Sequence, residues 1–414
     1  MKVVVPKITK YHFAFILCVI IPYFDNFELT FAVWSLVAAF TIVNNYSYTF
    51  IKQVACYFTI LVISFTVHFY YDYSSYYVIR DITYMLKPIL GLLIGYQLCK
   101  KSPNNNFELI SLAGFLFAIV HLVFIVRAVI FFKVININEL RFYAGFFSDF
   151  EVFALVIILF RKKFELNFSL KKSRLYILVI GTSLLLYLAR TNFIEFIIIL
   201  LAMKGVLVIN KRSIAIITSL VTLSVLSFFI ILYVNPKRNG PGLEAFLYKI
   251  KIIPQEAFKT KINRDNWKDL NDNYRSYENI MTVRQVTRDG IKPTLLGQGL
   301  GSQIDLKQKI MLGDMELRFI SILHNGFMTV FLKSGLLGIL FLLFSFSPYF
   351  KKSRSEIPII KQIDLLFIGI GIFMIMSYWV FMGFYFKADN KSILIGMLLC
   401  IREIVLKNKE YKND

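Results

Sequence analysis

Charged residues are scarce in this chain. Asp, Glu, Lys and Arg make up 18% of its 414 residues, against roughly 25% in an average soluble domain. The few charges are clustered, and the apolar runs between them, of about 17–25 residues, are long enough to cross the hydrocarbon layer of a bilayer as helices. Because lipid offers backbone N–H groups no partner, helices are the expected spanning form. The sequence therefore predicts an all-α, polytopic integral membrane protein and argues against a soluble globular one.

Cysteine is also rare. The four cysteines lie within or at the ends of apolar runs, at Cys18, Cys56, Cys99 and Cys400. Their spacing is not that of a disulfide framework or of a cysteine metal site. We therefore interpret all four as small buried apolar side chains.

Acidic residues are outnumbered by basic ones. The chain has 47 Lys and Arg against 26 Asp and Glu, a formal net charge of +21, which in a soluble protein would suggest nucleic-acid binding. Here the basic residues gather in alternate loops, such as "CKK", "RKKFELNFSLKKSR" and "KKSRSEIPIIK", and in the tail "KNKEYKND". This positive-inside bias puts both termini in the cytoplasm. The charge therefore orients the chain, and we expect no nucleic-acid partner.

These patterns predict about 12 transmembrane helices. The first apolar run is short and has a basic flank like that of a signal peptide, but no small-x-small cleavage site follows it, so we count it as a span. The predicted spans are 11–24, 27–43, 53–71, 82–99, 107–131, 145–160, 174–190, 193–209, 213–234, 322–346, 363–386 and 392–406.

Residues 235–320 are the largest departure from the membrane pattern, and the predicted topology puts them outside the cytoplasm. We therefore divide the chain into a membrane domain with nine spans at 1–234, one large extracytoplasmic loop with short helices at 235–320, and three further spans with a cytoplasmic tail at 321–414. Within the loop, "LEAFLYKIKIIPQEAF" is amphipathic and suits the bilayer surface.

The loop segment "NDNYRSYENIMTVRQVTRDG" predicts a helix that is capped by Asn271, Asp272 or Asn273 and ends at Gly290. Tyr277, Met281, Arg284 and Arg288 fall on one stripe of it, and Arg275 points elsewhere. Like charges four residues apart repel each other. Two interpretations stay open: a basic face in water, or a site for an anion.

A glycine-rich element follows in "PTLLGQGLGSQ". Its glycines, Gly297, Gly299 and Gly301, do not have the spacing of a dinucleotide fingerprint, and no strand–turn–helix unit surrounds them. They favour a tight turn or a close approach of the backbone. Their N–H groups are also candidates for contacting an anion.

His324 and Asn325 precede the tenth predicted span, in "SILHNGFMTVFLKSGLLG". A histidine there either anchors the helix at headgroup level or acts as a base, because neutral imidazole accepts a proton near pH 7. Charges within spans are costly and usually face a cavity or a partner. Arg190 and Glu195 are therefore either a structural pair or functional residues, and Lys333 either pairs or snorkels.

Most of these charged candidates are expected near the outer membrane surface. Arginine binds phosphate oxygens through paired hydrogen bonds, so several arginines around one histidine suit a lipid-linked diphosphate. They also suit the charge that develops on a departing diphosphate. The candidates are Arg190, Arg275, Arg284, Arg288 and His324.

The order of these features resembles the bacterial O-antigen polymerase and O-antigen ligase superfamily, membrane glycosyltransferases of the GT-C type. The resemblance rests on the many spans, an arginine ending a span in "YLARTNF", one long late outside loop, the "PTLLGQGLG" element and, most specifically, "HNGFMTVFLKSGLLG". The chain departs from the family near the sixth span, where Ser148 and Asp149 replace a Pro-Asn pair and the motif around Arg141 is weak.

The resemblance implies a reaction in the plasma (inner) membrane of a bacterium, with the large loop in the periplasm or outside the cell. A glycan on undecaprenyl diphosphate would be the donor, and a sugar hydroxyl the acceptor. His324 would be the base or would orient the acceptor hydroxyl, and neither a metal nor a cofactor is expected. The diphosphate would be held by Arg190, Arg275, Arg284 and Arg288. Supporting roles would fall to Asn325, Arg141, Glu195, Gly299 and Gly301.

Three functions stay open. We favour a polymerase of O-antigen or capsule repeat units, partnered by membrane lipid, the lipid-linked saccharide and a chain-length regulator protein. A ligase that moves finished glycan to lipid A-core would use the same donor. A flippase would carry charges through the middle of several spans, often with repeat symmetry, whereas the charges here concentrate outside.

Overall fold

The computed structural model describes residues 9–134, 137–145, 147–208, 211–238, 240, 244–254, 259–312, 315–351 and 355–413. Helices dominate this part of the chain. In the apolar regions they are α1 (Lys10–Ile20), α2 (Phe27–Phe40), α3 (Tyr48–His68), α4 (Ser75–Lys101), α5 (Asn106–Phe132), α6 (Ile137–Ala144), α7 (Asp149–Leu159), α8 (Leu170–Tyr187), α9 (Arg190–Met203), α10 (Lys211–Val234), α15 (Gly326–Ser345), α16 (Ser347–Phe350), α17 (Pro358–Val380) and α18 (Lys391–Asn413).

Each predicted span overlaps one of these helices. Among the described residues, six helices are long and apolar enough to cross a membrane, which supports a helical membrane protein. They are Tyr48–His68, Ser75–Lys101, Asn106–Phe132, Ile214–Val234, Gly326–Phe350 and Pro358–Val380. Two shorter apolar helices cover Lys10–Phe24 and Phe27–Phe40.

Polar side chains fix where several helices begin. Asn26, Ser47, Ser148 and Ser169 each precede a helix and accept a hydrogen bond from a backbone N–H of its first turn. Such caps satisfy N–H groups that have no partner within the helix. An apolar run therefore starts its helix at a defined residue, even where the run itself is almost uniformly hydrophobic.

The core of the helical region is built by close helix contacts. A Cβ on Gly95 of α4 would lie 2.8 Å from the carbonyl carbon of Ile393 on α18, so glycine is what lets these two helices touch along their backbones. Large aromatic side chains, among them Trp34, Tyr57, Tyr349 and Tyr378, are fully buried around this contact. The tyrosine hydroxyls that lie there bond to one another or to polar neighbours, as between Tyr378 and Tyr57 at 3.3 Å.

The described residues of 235–320 pack against the helical region on α3 and α15. Their helices are α11 (Glu244–Lys251), α12 (Trp267–Asp272), α13 (Tyr274–Arg288) and α14 (Ile291–Leu296). The amphipathic segment predicted here is a helix over Glu244–Lys251, whereas 255–258 lie outside the described residues. The predicted helix ending near Gly290 is α13. Asn273 stands at its N-cap position, but the side-chain oxygen accepts no hydrogen bond from the first turn, and the side-chain amide donates to the Asp269 carbonyl.

This segment also contains an antiparallel hairpin that the sequence analysis did not predict. Strand β1 (Ile304–Leu312) pairs with β2 (Met315–Ile320), with Ile304 opposite Ile320 and an irregular register between Asp305 and Ile310. Apolar and polar residues alternate in β2 as far as Phe319, yet Phe319 is half exposed and Ile320 is buried, so the alternation does not correspond to one buried face. The all-α description therefore holds for the helical region, and the loop adds a small sheet packed against α13.

The glycine-rich element is the joint between the loop and the helical region. α15 is broken at Gly335 (φ 63°, ψ −160°), which frees carbonyl groups that an unbroken helix would use. The N–H of Gln298 donates to the Leu332 carbonyl at 2.8 Å, and that of Gly299 donates to Lys333 at 3.1 Å. The predicted close backbone approach is therefore present in the structure.

Candidate functional site

His324 forms a close pair with Glu278, a residue that the sequence analysis did not single out. The Nδ1 atom of His324 lies 3.1 Å from both carboxylate oxygens of Glu278. Glu278 is fully buried, whereas 37% of the His324 side chain is exposed. A carboxylate only accepts hydrogen bonds, so Nδ1 is the donor and Nε2 is left as the proton-accepting nitrogen. The pair thus has one buried and one accessible end.

The backbone around His324 is held on two sides. Its N–H donates to Glu278 Oε2 at 3.1 Å, and its carbonyl accepts from the Met382 N–H at 3.0 Å. Asn325 then caps α15 by accepting from the N–H groups of Phe327 and Met328. The His-Asn sequence is therefore explained locally: Asn325 starts the helix, and His324 is fixed just before it between α13 and the end of α17.

Tyr274 closes the buried side of the pair. It precedes Glu278 by one helical turn, and its ring meets that of His324 edge to face, with centroids 5.6 Å apart. Burial, together with the neighbouring Glu278 carboxylate, raises the pKa of the Tyr274 phenol well above its usual range. Tyr274 therefore stays neutral at physiological pH.

Arg275 lies on the same side of α13 as this pair. It comes three residues before Glu278, a spacing that puts two side chains on neighbouring positions of a helix surface. Its guanidinium group stacks over the ring of Phe381, 5.1 Å from the centroid. Met382, the next residue after Phe381, bonds to His324. Arg275 is therefore the loop arginine that the fold brings closest to the His324 neighbourhood.

Arg141 and Arg190 form a second basic group. Arg190 begins α9 and donates from Nη1 to the Lys249 carbonyl of α11 at 2.6 Å. Burial and the positive charge of Arg190 lower the pKa of the Arg141 guanidinium. Repulsion of this kind between two arginines falls when an anion lies between them. Phe147, six residues after Arg141, contacts Phe381 with ring centroids 5.0 Å apart, and Arg275 stacks over the same Phe381 ring.

Glu195 belongs to a fully buried polar cluster below Arg190. Its electrostatic neighbours are Asp149 and Lys391. The Lys391 ammonium lies 2.7 Å from Asp149 Oδ2 and 2.8 Å from Asp389 Oδ1. Asp149, which lies in the sixth predicted span, here holds a lysine from the last helix. This cluster therefore joins α7, α9 and α18 to each other.

Arg284 and Arg288 do not share the His324 side of α13. At about 100° per residue, Arg275 and Arg284 point to opposite sides of the helix. Arg284 and Arg288 line a cavity of about 1040 Å³, together with Tyr277 and Met281 from the predicted stripe. The four loop and span arginines singled out from the sequence are thus divided between three places.

The glycine N–H groups face protein oxygens. The N–H of Gly301 donates to Asp81 Oδ2 at 2.7 Å, and that of Gly299 donates to Lys333. Asp81 also binds the buried ammonium of Lys333 at 2.5 Å. In this structure, Gly299 and Gly301 therefore stabilise the joint between loop and helices, and their N–H groups are bonded to oxygens of the protein itself. Lys333 is paired and does not snorkel.

One sequence signal does point to Glu278. Tyr274, Glu278, Met281 and Thr282 have helical spacing and are all buried, so an acid occupies the middle of a buried stripe. Such an acid needs a partner.

No protein-family model, curated protein or solved structure matches this chain. The function therefore has to be argued from the geometry of these residues.

Proposed function

We propose that the protein is a metal-independent membrane glycosyltransferase that polymerises glycan repeat units. It would transfer a growing glycan from undecaprenyl diphosphate to a sugar hydroxyl of another lipid-linked repeat unit. The observation that carries this proposal is the His324–Glu278 pair, with Nδ1 3.1 Å from the carboxylate. A half-exposed imidazole backed by a buried carboxylate is the arrangement that general-base catalysis needs.

The roles of the residues follow from where each one lies. Nε2 of His324 would take the proton of the acceptor hydroxyl, whose oxygen forms a bond to the anomeric carbon of the donor. The bond between that carbon and the diphosphate oxygen breaks at the same time. Glu278 would stabilise the imidazolium that results. The diphosphate would leave carrying its electron pair, which calls for fixed positive charge beside it.

That positive charge would come from Arg275 and from the Arg141–Arg190 group. Arg275 stacks on Phe381 beside the His324 backbone contact, and Phe147, which follows Arg141 by six residues, packs against the same ring. Arginine suits a diphosphate because its planar group forms two parallel hydrogen bonds to phosphate oxygens. Arg284 and Arg288 line a separate cavity, so we assign the diphosphate to the other three arginines.

The proposed topology has 12 spans in the plasma membrane of a bacterium, with both termini cytoplasmic. Residues 235–320 then lie in the periplasm or outside the cell. The basic loops support this orientation. In it, His324 would lie at the outer end of α15, two residues before the helix begins. A donor lipid lying in the outer leaflet would present its diphosphate at that level.

The test is the glycan made by a deletion strain that carries wild-type, His324→Ala or His12→Ala protein, with lipid-linked and surface glycan analysed together. His12 is the control, because it bonds to Ser102 at the predicted cytoplasmic end. For a polymerase, His324→Ala leaves single repeat units on the surface acceptor. Long chains stranded on undecaprenyl diphosphate indicate a ligase. Normal glycan from His324→Ala would remove His324 from the reaction and favour a flippase.

A further inference from the structure

The cavity on the far side of α13 is independent of the His324 site. It has a volume of about 1040 Å³ and lies between the α3–α4 connection, residues 260–264 and α13. Neither His324 nor Glu278 lines it. A cavity of this size can hold a ligand that is much larger than a single ion. The question is which chemistry its walls would recognise.

One wall is aromatic. Tyr71 and Tyr73 follow α3, and their rings are stacked with centroids 5.5 Å apart and planes 15° apart. Tyr277 faces the same cavity from α13. Flat aromatic rings pack against C–H surfaces. The Tyr277 hydroxyl donates to the Leu306 carbonyl, so hydrogen bonds to a ligand would come from the hydroxyl groups of Tyr71 and Tyr73. This combination suits the two faces of a sugar ring.

The floor carries side-chain amides that are fixed in position. Gln285 donates to Gln298 Oε1 at 2.9 Å and to the Gln303 carbonyl at 2.8 Å, and it accepts from the Asp305 N–H at 3.0 Å. These bonds use both amide hydrogens of Gln285, so Gln285 can offer a saccharide hydroxyl only its Oε1 as an acceptor. The side chain of Gln303 also lines the cavity, and an amide there can both donate to and accept from a hydroxyl group. Because the glycine element holds Gln298 against α15, this floor is tied to the helical region.

The acidic and basic side chains that line the cavity differ in whether they have partners within the protein. Each lining carboxylate has a partner within the protein: Asp305 binds Arg318, Asp269 binds Lys259, and Asp289 accepts from Gln298. The Arg318 guanidinium holds the pKa of Asp305 well below its usual range. By contrast, the side-chain cationic groups of four lining residues have neither an ion pair nor a hydrogen bond within the part of the chain that the structure describes. They are Lys261, Arg264, Arg284 and Arg288.

We propose that this cavity binds an acidic stretch of the glycan, a saccharide bearing carboxylate or phosphate groups. The inference rests on the proposed function, and it adds that the repeat unit itself is negatively charged. The tyrosines would pack against sugar rings, the amides would bond hydroxyl groups, and Arg284 and Arg288 would hold the acid by paired hydrogen bonds. Since these arginines are exposed, an incoming anion displaces only water from them.

Binding to the purified full-length protein in lipid nanodiscs tests this proposal. The probes are trigalacturonate, maltotriose, and maltotriose carrying one phosphate, each at equal ionic strength. We expect at least one acidic probe to bind ten times more tightly than maltotriose, and which of the two does so separates carboxylate from phosphate recognition. Equal binding of all three probes overturns the proposal, and this comparison needs no variant.

Two variants locate the site. The double variant Arg284→Gln/Arg288→Gln is expected to lose the acidic preference about tenfold. Its control, Lys268→Gln/Lys292→Gln, removes two exposed cations of the same loop that do not line the cavity, and it keeps the preference. An equal loss in both would mean attraction to a generally basic surface and overturn the proposed site. His324→Ala should bind the acidic probes normally, so failure of the catalytic assignment and failure of this inference are distinguishable.

Discussion

The imidazole of His324 and the carboxylate of Glu278 lie 3.1 Å apart, although 46 positions separate them in the chain. Glu278 comes from a helix of the loop, and His324 comes from the first residue pair before a membrane helix. Neither element alone contains the pair. The loop is therefore part of the candidate site, and its docking on the helical region decides whether the base is oriented.

The first prediction concerns Glu278 as a positioning residue. Glu278→Gln keeps a hydrogen-bond acceptor for Nδ1 but removes the charge that stabilises the imidazolium. We therefore expect kcat to fall by about 10–100-fold, a smaller loss than removal of the general base itself would cause. KM for the lipid-linked donor should stay unchanged, because the donor contacts are left in place. In vitro polymerisation with purified protein measures both. A raised KM with unchanged kcat would argue against this role.

The second prediction concerns the buried ion pair of Asp81 and Lys333, 2.5 Å apart and both fully buried. Asp81→Asn leaves an unpaired ammonium group in the core and should cost about 3–5 kcal/mol of stability. Asp81→Asn combined with Lys333→Met removes both charges and should recover much of that loss. Thermal unfolding in detergent checks the series.

A matched control for this series is the exposed pair of Lys309 and Glu316, 3.1 Å apart on the hairpin. Lys309→Met should leave the unfolding temperature unchanged, because exposed ion pairs contribute little. If Asp81→Asn proved equally harmless, the joint between the glycine element and α15 would not depend on this ion pair.

The third prediction concerns Gly335, where α15 breaks. Its φ of 63° with ψ of −160° lies in a region open essentially to glycine, and a Cβ there would lie 2.5 Å from the Gly297 nitrogen. We expect Gly335→Ala to cost about 2–4 kcal/mol. Gly181 in α8 is the control: a Cβ there meets nothing within 4 Å, so Gly181→Ala should be neutral or stabilise by about 0.5–1 kcal/mol. Thermal unfolding separates the two, and equal effects would contradict the strained break.

The fourth prediction concerns the proposed orientation. Cys18, Cys56, Cys99 and Cys400 are buried, so the background of thiol labelling should be low. Lys268→Cys, in the loop, should react with a membrane-impermeant maleimide on spheroplasts. Lys172→Cys, at the start of α8, should react only after permeabilisation. The reverse pattern would invert the topology and place His324 in the cytoplasm.

The sequence predicted the helices well because a long apolar run has few other stable forms in lipid. It also placed His324 and Asn325 directly before a helix, since Asn is a common cap. The pairing with Glu278 was not accessible, because it depends on how α13 docks and not on any local pattern. The hairpin was missed for a similar reason: its short alternation, in a segment of mixed polarity, competes with a loop interpretation until strands pair.

The division of the arginines shows the same limit. Helical spacing already separated Arg275 from Arg284 and Arg288, but spacing does not say which side of a helix faces which neighbour. Burial supplied the answer, since Glu278 and Tyr274 are enclosed while Arg284 and Arg288 stay exposed. From residue type alone, all three of these arginines were predicted to bind one diphosphate.

The joint at the glycine element has a consequence for how such a protein would adapt to new glycans. The floor of the cavity on the far side of α13 is bonded through the Gln298 N–H to α15. The wall at 260–264, by contrast, carries Lys261 and Arg264 on irregular backbone. Substitutions in that wall change recognition without disturbing the helix that begins just after His324. We expect natural variants of differing glycan preference to diverge there first, with 297–301 held constant.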